Sequence, residues 1–139
     1  GATIAVPNDG SNESRAIKLL ADNGLITLAE TEDLYNLTSI AENPHNFEIT
    51  ELDAANLPRS LDDVDAAVIN GNYALEAGFS PVEDSLLLEG KESPYANIIA
   101  VKAGDENKED IVKLIKALQS KKVSDYILSN YKGGVVPTF

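Results

Sequence analysis

The chain has 139 residues, of which 43% are hydrophobic and 24% charged, enough for one domain with a sizeable core. Its net charge of −12 argues against a nucleic acid or an anionic membrane surface as partner, because phosphate binding needs clustered Lys and Arg. The lack of cysteine excludes disulfides, thiolate metal sites and a thiol nucleophile. Methionine is absent too, so we expect a processed or excised product with residues upstream of Gly1.

The first third of the chain is predicted to alternate short strands with helices. Residues 2–7 form an apolar run that ends at a proline, and the apolar spacing that follows is helical until an Asn-Gly pair stops it. In chain order, the pattern predicts a strand at 2–7, a helix from about 11 to 23, an extended or turn segment at 25–30, a short helix at 36–43 and a strand at 46–53.

The middle of the chain carries the clearest sign of a parallel sheet. Residues 65–70 are nearly all apolar, as in a parallel strand that is buried on both faces. Short elements surround this strand. The pattern predicts a helix start near Pro58, a short helix ended by Gly78, a helix start at Ser80-Pro81 and a strand at 86–90.

The C-terminal third is predicted to contain a strand at 96–101, a helix at 106–121 and a last helix at 124–131. The 106–121 helix has acidic residues at its start, lysines at its end and one apolar stripe made of Ile111, Leu114, Ile115 and Leu118. Strands that alternate with helices along the whole chain predict an α/β fold with a mostly parallel central sheet flanked by helices.

Polar residues interrupt the chain where the predicted strands end, and ligands of open α/β sheets bind outside the carboxyl ends of the strands. Asn12 follows the first strand, Asn70 ends the 65–70 strand, and Asn97 lies at the start of the 96–101 strand. Asparagine both donates and accepts hydrogen bonds, which suits a ligand that carries an amine and a carboxylate. Asparagines also form turns or fill buried polar positions, so the pattern leaves a structural role open for each.

Arg15 is predicted in the first turn of the 11–23 helix, where the helix dipole disfavours a basic residue. A guanidinium beside the free N–H groups of a helix N-terminus makes a binding site for a carboxylate. The alternative is a surface arginine paired with Glu13 or Asp22. The residue pattern does not choose between these two interpretations.

Signs of catalysis are few. His45 is the only histidine and lies in a turn, no serine has the context of a nucleophile elbow, and no loop has the spacing of a calcium or phosphate site. The sequence therefore predicts a binding protein and not an enzyme, with no metal and no cofactor.

Four segments together resemble a known family: "IAVPNDGSNESRA", "LPRSLDDVDAAVINGNYALEAGFSP", "ESPYANIIAV" and "YKGGVVPTF". They are similar to the methionine-binding lipoproteins of bacterial ABC importers, the NLPA lipoprotein family, and the resemblance covers essentially the whole chain. It implies a type 2 periplasmic-binding fold, in which two lobes close on the ligand. It also implies an extracytoplasmic protein, anchored by a lipid on the N-terminus of its precursor, that delivers methionine to a permease and its ATPase.

The resemblance also assigns residues. It implies that Arg15 holds the ligand carboxylate and that Asn12, Asn70 and Asn97 contact the head group, while the choice among L-methionine, D-methionine and a dipeptide stays open. Residues 1–93 would be the second lobe, and residues 94–139 a return segment that belongs to a first lobe absent from this chain. Without that lobe, we expect the return segment to fold onto itself or to swap with a second copy. The alternative is a stand-alone regulatory domain of similar α/β architecture that senses a small ligand.

Overall fold

The structure, a computed structural model, describes residues 1–90, 97–131 and 133–139 and divides into two compact units, Gly1–Phe79 and Ser80–Phe139. The boundary predicted between residues 93 and 94 lies outside the described residues. The assignment of residues 94–139 to a different lobe stays a prediction.

The first unit alternates strands and helices, as predicted. In chain order it contains β1 (Thr3–Pro7), α1 (Gly10–Asp22), β2 (Thr27–Leu28), a 3₁₀ turn (Leu37–Ser39), β3 (Ile40–Glu42), β4 (Glu48–Leu52), α2 (Leu57–Ser60), β5 (Ala66–Ala67) and α3 (Gly71–Glu76). Three of these strands form a sheet in the order β4-β1-β5, and both pairings are parallel. The predicted parallel sheet is therefore confirmed.

The middle strand, β1, lies at the centre of the core. Ile4 and Val6 pack with Ala16, Ile17 and Leu20 of α1, whose apolar residues recur at helical spacing on one face. The intervening residues of a strand point to the opposite face of the sheet. On β1, Ala5 and Pro7 of this opposite face are also buried, and α2 contacts both β1 and β5. Helices thus cover the sheet, as its apolar strands require.

The segment predicted as a helix at 36–43 is different in the structure. Asn36 caps a single 3₁₀ turn, with its Oδ1 accepting from the Thr38 N–H at 2.9 Å. The chain then leaves the helical conformation at Ile40 and enters β3, which pairs antiparallel with β2. The helix prediction was wrong because a local capping turn and a strand partner outweighed the weak helical spacing.

The second unit contains α4 (Pro81–Asp84), α5 (Glu109–Leu118) and α6 (Lys121–Asn130). The strand predicted at 86–90 is not formed, and neither is the 96–101 strand over its described part, 97–101, while Ala96 lies outside the described residues. Ile98 is 84% exposed. Both predictions were wrong because an apolar run becomes a strand only when another strand pairs with its backbone.

The two long helices of this unit were predicted with shifted ends. Helix α5 begins at Glu109, three residues later than expected, because the Glu106 carboxylate accepts the Gly104 N–H at 2.9 Å in a preceding turn. Helix α6 begins at Lys121, earlier than expected. No helix in the described ranges combines the length and the apolar character that crossing a membrane requires.

Candidate functional site

The order of the strands defines where a ligand is expected to bind. From β1 the chain moves to β4 on one side, and from β4 it returns to β5 on the other side of β1. The direction of winding therefore reverses between β1 and β5, and ligands of open α/β sheets bind at this switch point. Asp9 and α1 follow β1 there, and Asn70 and α3 follow β5.

Asn12 and Asn70 meet at this switch point, although they are 58 positions apart in the sequence. The Asn70 Nδ2 donates to the Asn12 Oδ1 at 2.8 Å. The Asn12 Nδ2 in turn donates to both carboxylate oxygens of Asp9, each at 3.0 Å. The structure thus brings together two of the four predicted residues, and Asp9 joins them.

The second polar atom of Asn70, its Oδ1, is buried and makes no hydrogen bond with any described residue. A buried acceptor without a donor costs about 1–3 kcal/mol, so native proteins rarely keep one without a reason. At the switch point of the sheet, such an oxygen is a candidate acceptor for a ligand donor, and the role of Asn70 in binding stays a prediction.

Arg15 lies one turn deeper in α1 than predicted. The helix begins at Gly10 with Asp9 as its N-cap, so Arg15 falls in the second turn, beyond the strongest field of the helix terminus. It lies three residues after Asn12, on the same side of the helix, and its side chain is partly buried. The Asp22 carboxylate accepts from the Lys18 Nζ at 2.7 Å, and the Glu13 carboxylate accepts from the Leu37 N–H at 3.1 Å. Neither contact excludes a pairing with Arg15, so both interpretations of Arg15 stay predictions.

Asn97, the fourth predicted residue, lies in the second unit. Its segment is exposed and has neither helix nor strand. A role for Asn97 in binding the ligand stays a prediction.

Glu13 was named from the sequence only as a possible partner of a surface Arg15, yet it is buried near the N-terminus of α1. Burial raises the pKa of the Glu13 carboxyl, and the nearby Glu51 carboxyl adds to the rise through charge and a hydrogen bond, against the Leu37 N–H, which lowers it. Its neighbour Ser14 accepts the Tyr35 N–H at 3.0 Å, so α1 holds the 35–37 segment in place. A signal was available, because Glu13 occupies the first position of the apolar stripe of α1.

Asp9 was also missed. It caps α1, with its Oδ1 accepting the Asn12 N–H at 3.2 Å, in addition to holding the Asn12 side chain. The spacing Asp9-x-x-Asn12 before a helical stripe is a capping signal that the sequence contained. In the described part of the chain, no group of three Asp, Glu or His side chains converges as a metal site.

The sequence model of one family, the NlpA lipoproteins, matches residues 1–139. The chain belongs to the NlpA lipoprotein family. The predicted resemblance is therefore confirmed over the whole chain.

Relatives of known sequence and structure agree with this membership. The chain is 42% identical to a protein of Pasteurella multocida named probable D-methionine-binding lipoprotein MetQ, over 137 residues that make up 98% of this chain and 50% of the relative. It is 40% identical to the D-methionine-binding lipoprotein MetQ of Escherichia coli, over 98% of this chain and 51% of that protein. The chain thus spans about half the length of these curated relatives.

Among solved structures, a nutrient binding protein from Burkholderia cenocepacia, bound to methionine, is 50% identical and superposes with a TM-score of 0.91. The match covers all of this chain and 59% of the Burkholderia chain. This NlpA-family chain therefore has the α/β fold of the corresponding part of that protein.

Proposed function

We propose that this NlpA-family chain forms part of an extracytoplasmic solute-binding protein that binds methionine, or a close relative of it, and delivers it to the permease of an ABC importer. The names of the MetQ relatives and the methionine in the Burkholderia structure support this ligand. The lipoprotein names support a lipid anchor on a longer precursor. The chain acts by binding, without a cofactor and without catalysing a reaction.

The buried, unpartnered Oδ1 of Asn70 is the observation that carries the proposal. An amino acid brings an ammonium group, which has three donors and no acceptor, to this oxygen. Its carboxylate is then held by Arg15, since a guanidinium binds a carboxylate through two parallel hydrogen bonds. Asn12 positions Asn70, and Asn97 adds a contact to the head group.

Binding sites for small molecules bury most of the ligand surface, and this chain spans only about half of its curated relatives. We therefore expect this chain by itself to hold the head group weakly. In this proposal the apolar faces of residues 94–139 pack either on the portion by which the relatives are longer or on a second copy of the chain.

Nuclear magnetic resonance tests head-group binding in the 139-residue chain itself, because it detects weak complexes. L-methionine is expected to shift the side-chain amide signals of Asn12 and Asn70, and an equal concentration of acetate is expected to leave the Asn70 signal unchanged. In parallel, a chimera that carries this chain in place of the matched 59% of the Burkholderia protein is titrated calorimetrically. No shift in the chain and no heat with the folded chimera would refute the proposal.

The role of Arg15 is tested by Arg15→Ala, with Arg59→Ala as the matched control. Arg59 is the other arginine of the chain and is exposed in the last turn of α2. Loss of a charge-assisted hydrogen bond costs about 1.5–3 kcal/mol, so Arg15→Ala in the chimera should weaken methionine binding about 10- to 100-fold, while Arg59→Ala leaves it unchanged. Equal affinities for the two variants would remove Arg15 from the site.

A further inference from the structure

Asp9, Asn12 and Asn70 form one continuous chain of hydrogen bonds at the switch point of the sheet. Its first member is a carboxylate that also caps α1, and its last member is the amide with the unpartnered oxygen. The members come from two different βα connections, so the chain of bonds exists only in the folded sheet.

The direction of these bonds follows from the chemistry of Asp9. A carboxylate only accepts hydrogen bonds, so the Asn12 amide must turn its NH₂ group toward Asp9. The Oδ1 of Asn12 then faces Asn70 and requires the NH₂ group of that residue. The Nδ2 of Asn70 is then engaged with Asn12, and the carbonyl oxygen is the atom of this amide left without a partner among the described residues. The orientation of the amide is thereby fixed, with its oxygen available as an acceptor.

The hydrogen bonding of this oxygen favours a donor over an acceptor. The oxygen is buried and accepts from none of the described residues. A ligand group that only accepts hydrogen bonds would place its oxygen against the Asn70 Oδ1, leaving two buried acceptors without donors. An ammonium group pairs with the same oxygen at no such cost.

We propose that Asp9 is a positioning residue. Through Asn12 it orients the Asn70 carbonyl, which then selects a ligand with a protonated amine on its α-carbon over a ligand with a carbonyl, which only accepts hydrogen bonds, at the same place. The inference rests on the proposed function, since it takes the site to hold an amino-acid head group. Asp9 does not need to touch the ligand in order to act. Its effect is on the ratio of the affinities for the ligand with the amine and the ligand with the carbonyl.

The test compares L-methionine with its 2-oxo analogue, in which a carbonyl oxygen replaces both the amino group and the hydrogen on the α-carbon. The chimera with the natural sequence at Asp9 is expected to prefer methionine by about 10- to 100-fold, the equivalent of one unpaired buried polar group. Asp9→Asn keeps an acceptor for the helix cap but adds a donor. The side-chain amides of Asn12 and Asn70 can then both turn over, so that Asn70 presents its NH₂ group in place of its oxygen. This preference is then expected to fall at least several-fold.

The matched control is Asp22→Asn, which removes the same charge from the other end of α1, where Asp22 pairs with Lys18. Asp22→Asn should keep the preference for methionine. A variant that merely weakened the fold would lower both affinities together, and the ratio would stay constant. An unchanged ratio in Asp9→Asn, in a chimera that binds methionine, overturns the role of Asp9.

A second measurement examines the bonds without any ligand. In the isotopically labelled 139-residue chain, a scalar coupling through the hydrogen bond should join the Asn70 Nδ2 to the Asn12 Cγ, and it should weaken in Asp9→Asn. Its absence from the unsubstituted chain would overturn the inference even if methionine binds. Its presence together with a failure to bind methionine would instead overturn the proposed function.

Discussion

The two units of the chain differ in what they bury. Every buried hydrophobic side chain in the described residues belongs to Gly1–Phe79, from Ile4 to Ala74. In Ser80–Phe139 the only buried residue among those described is Ser80. Among the described residues, the exposed large hydrophobic side chains other than Leu34 and Leu61 belong to this second unit.

Helices α1 and α5 make this difference concrete. Both have an apolar stripe at helical spacing, and the stripe of α5 was the clearest in the sequence. On α1 the stripe meets β1 and is buried, whereas on α5 Leu114 and Leu118 remain 45% exposed. An amphipathic pattern therefore shows that a helix needs an apolar partner, but it does not supply that partner.

The largest expected effect is on stability, from removing the same side chain in each unit. Leu20→Ala empties a position that is 3% exposed and should lower the free energy of unfolding by about 2–5 kcal/mol. Leu114→Ala, at 45% exposure, should cost less than about 1 kcal/mol. Urea unfolding followed by circular dichroism measures both. Equal costs would mean that the stripe of α5 is buried as deeply as that of α1.

A smaller difference is expected from the helix caps. The Asp9 carboxylate accepts the Asn12 N–H, while Ser120, the N-cap of α6, makes no capping bond through its side chain. Asp9→Ala should therefore cost about 1 kcal/mol and Ser120→Ala less than about 0.5 kcal/mol. The free energies of unfolding of the two variants decide the point, and a larger cost for Ser120→Ala would contradict it.

The smallest effects concern pH and have opposite signs in the two units. Burial raises the pKa of Glu13, so between the ordinary Glu value of about 4.3 and the raised pKa the folded chain holds a proton that the unfolded chain has lost. The contribution of Glu13 to the free energy of unfolding therefore falls as the pH rises from the ordinary Glu value through the raised pKa. Glu13→Gln removes this loss and should stabilise the chain at neutral pH more than at acid pH.

Glu106 in the second unit provides the contrast. Hydrogen bonds from its own backbone N–H and from that of Gly104 lower its pKa. Its stabilising contribution is present above the ordinary Glu value and is lost as pH falls through the lowered pKa. Glu106→Gln should therefore remove a small stabilisation at neutral pH. Urea unfolding of both variants at acid and neutral pH measures how each substitution changes the free energy of unfolding. A change of the same sign for both variants at neutral pH would contradict the prediction.

Much of the first unit was predictable because its signals are local. The apolar run of β1, the spacing of α1 and the Asn-Gly stop at its end each lie within one short window of sequence. The prediction failed where a partner decides the outcome. Residues 97–101 look like a strand but pair with none of the described residues, whereas residues 40–42, predicted as helix, form β3 because they pair with β2.

The sequence by itself determined the family, the α/β order of the first unit and the positions of Asn12 and Asn70 after their strands. Only the tertiary structure decided that β1 lies between β4 and β5, which brings those two asparagines within 2.8 Å of each other. It also decided which atom of Asn70 is left without a partner, and that Glu13 is buried. The physical reason is that hydrogen-bond direction and burial depend on neighbours distant in the chain, which no local pattern contains.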